Sequence, residues 1–206
     1  MYSNQAKNDF MTFDKLYEIM AVNSDKEVIV QLEGGEPLTH PNFVLFVEFL
    51  SIAPNVREIV IDTNAFLLRE YIDKIVDSAE RNKKLITVKP SYNSYLKDLW
   101  AKKYPYTTFS DYLRNTITSC EFLNYVKFKI NVRAFNDEEL TSLSSELGEI
   151  MEQYIEPHLF NSYGLLSDNE TLPKLTINKV FEEWECFNSK GESFGQDLIA
   201  RSESEK

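Results

Sequence analysis

The stretch YVKFKINV, residues 125–132, alternates without a break. Val126, Phe128, Ile130 and Val132 fall on one side, and Lys127, Lys129 and Asn131 on the other, because successive strand side chains point to opposite faces. Such a strand has one apolar face and one polar face. Working outward, other short runs repeat the pattern. Val30 and Leu32 oppose Gln31 and Glu33; Ile59 and Ile61 oppose Asp62; Ile86 and Val88 oppose Thr87, Lys89 and Ser91; Ile155, Pro157 and Leu159 oppose Glu156 and His158.

Helical patterns separate these runs. Thr12 is placed to cap a helix carrying Phe13, Leu16, Tyr17 and Met20 at the spacing of one helical face. EVIVQLE (27–33) reads as a strand. PNFVLFVEFLSIA (41–53) reads as a helix with Pro41 at its first position, apolar almost all round and therefore expected to be buried. REIVIDT (57–63) is the next strand, and Leu68, Ile72, Ile75, Val76 and Ala79 mark an amphipathic helix. KLITVKPS (84–91), a helical region over 95–120 interrupted at Pro105, the opening strand, a helix over 138–151 and the strand YIEPHLF (154–160) complete the series.

Five strands alternating with helices, each crossover long enough to hold one, imply parallel strands with right-handed connections. Strands covered by helices on both faces read as continuous apolar runs, and the interior of a small closed barrel is packed with branched apolar residues. The alternation here fits neither. A polar face must meet water or a polar ligand, because burying an unpaired charge is costly. The expected fold is therefore α/β: a partial, open (β/α) barrel of about five parallel strands, helices outside and a wet lumen within. Glu33, Asp62, Lys89, Lys127, Lys129 and His158 are the candidate lumen residues. The plain alternative is that Lys89, Lys127 and Lys129 pair with Glu33, Asp62 and Glu156.

The chain has 206 residues and no Ser- or Pro-rich linker, which suits one larger domain over residues 1–165 followed by an extension, 166–206, carrying Trp184, Phe187 and Phe194. A formal net charge of −11 argues against non-specific nucleic-acid binding. There is no apolar run of membrane-spanning length and no signal core, so a cytoplasmic location is expected. Cys120 and Cys186 stand alone, with no spacing suited to a disulfide framework or a metal site.

Ligands of parallel α/β folds sit at the carboxyl ends of the strands. Here those ends read Gly34-Gly35-Glu36-Pro37, Thr63-Asn64, Ser91, Asn131-Val132-Arg133 and Phe160-Asn161. Glycine admits close backbone approach, a carboxylate at Glu36 is an acceptor for an ammonium, and Pro37 fixes the chain's exit. The glycine pair taken alone reads equally well as a tight turn.

In its setting, VQLEGGEPLTHPNFVLFVEFL (30–50) resembles the radical S-adenosylmethionine superfamily, in which a barrel strand ends in GGEP before a loop and a helix. IVIDTNAFLL (59–68) is similar to the next strand, which usually ends in Thr-Asn-Gly; Ala65 departs from that glycine. VKPSYN (88–93), VKFKINVRAFNDEEL (126–140) and IEPHLFNSYG (155–164) resemble the strands that follow, so the likeness covers about residues 12–165. The resemblance implies a partial barrel that binds S-adenosylmethionine. Gly34, Gly35, Glu36 and Pro37 would contact its amino group; Thr63, Asn64, Ser91, Asn131 and Arg133 its ribose and carboxylate; and backbone near Leu159 and Phe160 would lie beside the adenine.

The family also holds a [4Fe-4S] cluster through a CxxxCxxC loop, and this chain has no cysteine before Cys120. Tyr2-Ser3 resembles the sequence just after that loop. The resemblance thus implies a chain starting past the cluster loop and lacking the first strand. No reductive cleavage is then expected from it, and EVIVQLE becomes an edge that pairs with a second copy or lies under an N-terminal segment. The substrate, of peptide or small-molecule class, is open. Two other readings stand beside this one: a non-catalytic binding or interaction module, and an unrelated α/β binding domain.

Overall fold

The computed structural model describes residues 10–159, which fall into two compact units, 10–26 and 27–159. The first holds helix α1 (Phe13–Val22). Thr12 caps it as its hydroxyl accepts from the Lys15 amide at 3.3 Å. Leu16 and Met20 are buried, whereas Tyr17, grouped with them by spacing, is exposed.

The second unit runs β1 (Val28–Leu32), α2 (Phe43–Ile52), β2 (Val56–Thr63), α3 (Leu68–Asn82), β3 (Leu85–Tyr92), α4 (Ser94–Lys103), α5 (Phe109–Thr118), β4 (Val126–Phe128), β5 (Ile130–Ala134), α6 (Asp137–Leu147) and β6 (Ile155–Leu159). Short 3-10 turns occupy Pro37–Thr39 and Glu149–Tyr154. Every strand pair is parallel, in the order β1-β2-β3-β5-β6 with β4 also on β3. That order follows the chain and never reverses. A doubly wound sheet reverses at a switch point to place helices on both faces; a monotonic order with right-handed crossovers puts them all on one. The unit is a sector of a (β/α) barrel, as the alternation implied.

Segments β4 and β5 are one strand line with a gap. Val126 pairs with Ile86 and Asn131 with Ser91, so the register offset is 40 on both sides (126 − 86 and 131 − 91). The Lys129 amide still donates to the Val88 carbonyl at 3.0 Å. The return bond would come from residue 90, and Pro90 has no N–H to give.

The registers align the faces. Ile59, Ile61, Ile86, Val88, Val126, Phe128, Ile130 and Val132 are buried on the side where α2, α3, α4 and α6 pack. Gln31, Val60, Thr87 and Lys127 share a row across the other face; Asp62 stands beside Lys89, Asn131 beside Glu156 and Arg133 beside His158. At the end of the strand order among the described residues, β1 carries the part-exposed Ile29.

Two element boundaries and one burial expectation differ from the reading of the sequence. Pro41 precedes α2 instead of starting it, and Pro37 opens the 3-10 turn. Helix α2 is not buried all round: Phe43, Phe46, Val47 and Leu50 face inward, while Leu45 and Ile52, seven residues apart on the opposite stripe, are exposed. Helix α6 ends at Leu147, because Gly148 turns the chain at φ 81°. Asn93, Thr108 and Asn136 cap α4, α5 and α6 through their side chains. Among the described residues no helix is long and apolar enough to cross a membrane. Residues 160–206 and 1–9, with Tyr2, Ser3, Phe160, Asn161, Trp184, Phe187 and Phe194, lie outside the described part.

Candidate functional site

The corner where β1 and β2 end is organised by one carboxylate. Glu36 Oε1 accepts from the Leu38 amide at 3.1 Å and from the Thr63 hydroxyl at 2.6 Å, and Oε2 accepts from the Asn64 amide at 2.6 Å. Thr63 Oγ1 in turn accepts from the Ala65 amide at 3.0 Å, and Asn64 Oδ1 from the Phe66 amide at 2.9 Å. The turn Thr63–Phe66 thus hangs from Glu36 through a chain of bonds. Burial pushes the Glu36 carboxyl above its ordinary value, and the hydrogen bonds from Thr63, Asn64 and Leu38 offset only part of that.

Of the glycine pair, Gly34 takes a conformation that favours glycine, with φ 136°, and a Cβ built there would meet nothing within 4 Å. The glycine therefore serves the backbone turn, and the space over it is open. Ala65 has φ 67° and is fully buried. The position that departs from the family's glycine is one where an L side chain is strained, at a cost of about 1 kcal/mol.

Beside this corner lies the polar face. Asn131 Nδ2 donates to Asp62 Oδ1 at 3.0 Å, and Gln31 Nε2 donates to Asp62 Oδ2 and, at 2.8 Å, to Glu33 Oε2. Burial raises the Asp62 carboxyl, opposed by the charges of Lys89 and Arg133 and by the bonds from Gln31 and Asn131. Glu33 is raised as well, by desolvation and by the charge of Asp62. Lys89 and Lys129 converge on Glu156, at 3.0 and 2.8 Å. Burial would raise Glu156, but the hydrogen bonds and charges of the two lysines outweigh it and hold the carboxyl below its ordinary value.

The expected pairing of three lysines with three carboxylates is therefore reduced to two lysines on one. Lys127 is exposed and makes no ion pair among the described residues. Ser91 stands in register beside Asn131, and His158 beside Arg133, whose charge acts on both Asp62 and Glu33. Gly34, Gly35, Glu36, Thr63 and Asn64 form one cluster with Pro37 at its edge; Asp62 joins it to Asn131, Ser91 and Arg133.

Asn131 is 2% exposed, and its Oδ1 has no hydrogen-bond partner among the described residues. The amide cannot be turned to cure this, because Asp62 requires the N–H side. A buried acceptor without a donor costs about 1–3 kcal/mol, so it marks a place where a ligand hydroxyl or N–H, or a water, completes the structure.

Tyr112 of α5 escaped the sequence reading. Its hydroxyl donates to the Ala65 carbonyl at 2.9 Å and accepts from the Arg69 amide at 3.0 Å, bracing the same turn from the far side. Trp100 packs within 5.4 Å of the Phe66, Tyr104, Phe109 and Tyr112 rings and locks that brace. The aromatic spacing in 100–112 was the available signal.

No family model matches the chain. Among curated proteins, relatives named GTP 3′,8-cyclase match it. The one from Campylobacter curvus (strain 525.92) is 26% identical over 148 residues, 69% of this chain and 43% of its own. That from Peptoclostridium acidaminophilum is 29% identical over 146 residues, 66% and 41%. That from Clostridium perfringens (strain 13 / Type A) is 31% identical over 146 residues, 66% and 43%. Their match agrees with the resemblance carried by the GGEP strand end and with the monotonic parallel sheet. These similarities support the radical S-adenosylmethionine superfamily for this chain. It spans less than half the length of the relatives it matches.

The superfamily works with S-adenosylmethionine and a [4Fe-4S] cluster. The groups at the strand ends fit the first: a buried acceptor at Asn131 without a donor among the described residues, and open space over Gly34. They do not fit the second. A cluster needs thiolates in close spacing; among the described residues there is one cysteine, the buried Cys120, and no group of three metal-ligating side chains.

Proposed function

We propose that this chain binds S-adenosylmethionine across the carboxyl ends of β1 to β5 and, as the sequence stands, does not cleave it. The amino acid end would lie at the Gly34–Gly35 turn, near Pro37. The ribose would lie over Ser91 and Asn131, with Thr63, Asn64 and Arg133 completing the wall and Glu33, Asp62, Lys89, Lys127, Lys129 and His158 extending it toward a substrate. The observation that carries this reading is the Asn131 Oδ1, unpaired among the described residues, an acceptor aligned by Asp62 and suited to a donor such as a ribose hydroxyl. The chain's own residues bind and orient the ligand. When bound, the ligand supplies a sulfonium whose reductive cleavage needs an electron source that two isolated cysteines do not provide. This makes a binding role the reading for the chain itself.

Calorimetric titration of the 206-residue protein with S-adenosylmethionine tests the proposal. One site per chain is expected, and Asn131→Ala should weaken it about tenfold, the worth of one hydrogen bond. Absence of binding to the unaltered protein, or an affinity indifferent to Asn131→Ala, overturns it.

A further inference from the structure

Glu36 was matched to an ammonium acceptor by resemblance, but its geometry describes a different task. A carboxylate offers about four lone-pair sites. Three are taken, by the Leu38 amide, the Thr63 hydroxyl and the Asn64 amide, all on protein groups and all between 2.6 and 3.1 Å. The groups it holds belong to two different strand ends, that of β1 through the 3-10 turn and that of β2 through Thr63–Asn64. The second end carries the strained Ala65, whose amide is satisfied by the same threonine. Tyr112 grips the Ala65 carbonyl from the opposite side.

We infer that Glu36 is a positioning residue: it ties the Gly34–Pro37 turn to the Thr63–Phe66 turn, and a ligand seated at these strand ends is received by the two turns it aligns, not by its carboxylate. The inference rests on the S-adenosylmethionine seat proposed above, and its test keeps the two apart.

Two measurements on the full chain serve, both comparing unaltered protein with Glu36→Gln. The first is amide hydrogen exchange. The Leu38 and Asn64 amides bond to different oxygens, and glutamine has one acceptor oxygen, so one of the two must lose its partner. Its protection should fall about tenfold while Ile59–Ile61 of β2 stays unchanged. Full protection at both amides overturns the clamp, whatever the ligand does.

The second is the ratio of affinities for S-adenosylmethionine and 5′-methylthioadenosine, which keeps the nucleoside and sulfur but lacks the amino acid end. Because the amino acid end lies at the Gly34–Gly35 turn, a positioning role predicts that Thr63→Val, which loosens the clamp but keeps the carboxylate, lowers the preference for S-adenosylmethionine as Glu36→Gln does. A selective loss of about tenfold in Glu36→Gln that Thr63→Val does not reproduce would mean that the carboxylate receives the ammonium, and would overturn the inference. If the unaltered protein binds neither compound, the proposed seat fails while the clamp stands or falls on exchange alone.

Discussion

Glu36, beyond the end of β1, and Glu156, within β6, are both partly buried carboxylates held by hydrogen bonds, yet their acidities move in opposite directions. Glu36 is held by two amides and a hydroxyl and is raised; Glu156 is held by two lysines and is lowered. Neutral donors return less than desolvation takes from an ion, whereas two cations return more. The difference separates two kinds of construction. The β1–β2 corner is built from directional bonds that set backbone shape; the β3–β6 side is built from charges that tolerate rearrangement and respond to salt and ligands.

The largest expected effect breaks the first construction. Glu36→Ala removes the two oxygens that accept three hydrogen bonds and strands donors on the buried Leu38 and Thr63 and on Asn64. Water can reach part of the corner through the open space over Gly34, so the loss should be about 2 kcal/mol rather than the sum of three full penalties. A shift in the urea midpoint at constant slope measures it. A cost below about 0.5 kcal/mol would show that the corner keeps its shape without the carboxylate and that the comparison is misdrawn.

A smaller effect is expected on the other side. Glu156→Gln leaves Lys89 and Lys129 without their shared partner, but Lys129 is half exposed, so the loss should be about 0.5–1 kcal/mol. Its signature is salt dependence. In about 1 M salt the Debye length falls to about 3 Å, and the difference between the variant and the unaltered protein should shrink, while that for Glu36→Ala should persist. Equal salt sensitivity at the two sites would remove the distinction between directional and electrostatic construction.

The two sides also differ in how far the sequence discloses them. Period-two alternation reveals the polar face, because Lys127, Lys129 and Asn131 announce their side by position alone, and the parallel order follows from crossover length. It cannot reveal which carboxylate a lysine finds. Glu156 lies two strand lines from Lys89, and Lys127 makes no ion pair at all among the described residues, since long flexible cations choose partners by local geometry. The corner was legible as a motif and illegible as a mechanism. Glu36 meets Thr63 and Asn64 across 27 and 28 residues of chain, and two of its three donors are backbone amides, which every residue possesses. Ala65 was visible as a departure from glycine, but its cost follows only from φ 67°. Pro90 sits in a strand that reads as continuous, and the gap it opens between β4 and β5 appears only once the register names the missing donor.

The smallest effect is the most direct test of the opposition itself. For Glu36 the folded-state value lies above 4.5, so the folded protein holds that proton more tightly than the unfolded chain. The stability it contributes is full below the unfolded value and is lost as pH rises through the folded one. For Glu156 the folded value lies below 4.5, so its contribution is present above the unfolded value and is lost as pH falls through the folded one. Carboxyl carbon NMR should therefore show Glu36 titrating above 4.5 and Glu156 below it in the same sample. Substitution should separate the stability profiles as well. The advantage of the unaltered protein over Glu36→Gln should shrink as pH rises past about 4.5, and its advantage over Glu156→Gln should shrink as pH falls below that value. Titration of both carboxyls on the same side of 4.5 would mean that the Glu36 donors compensate burial as fully as the lysines do, and the corner would then be electrostatic in the same sense as the polar face.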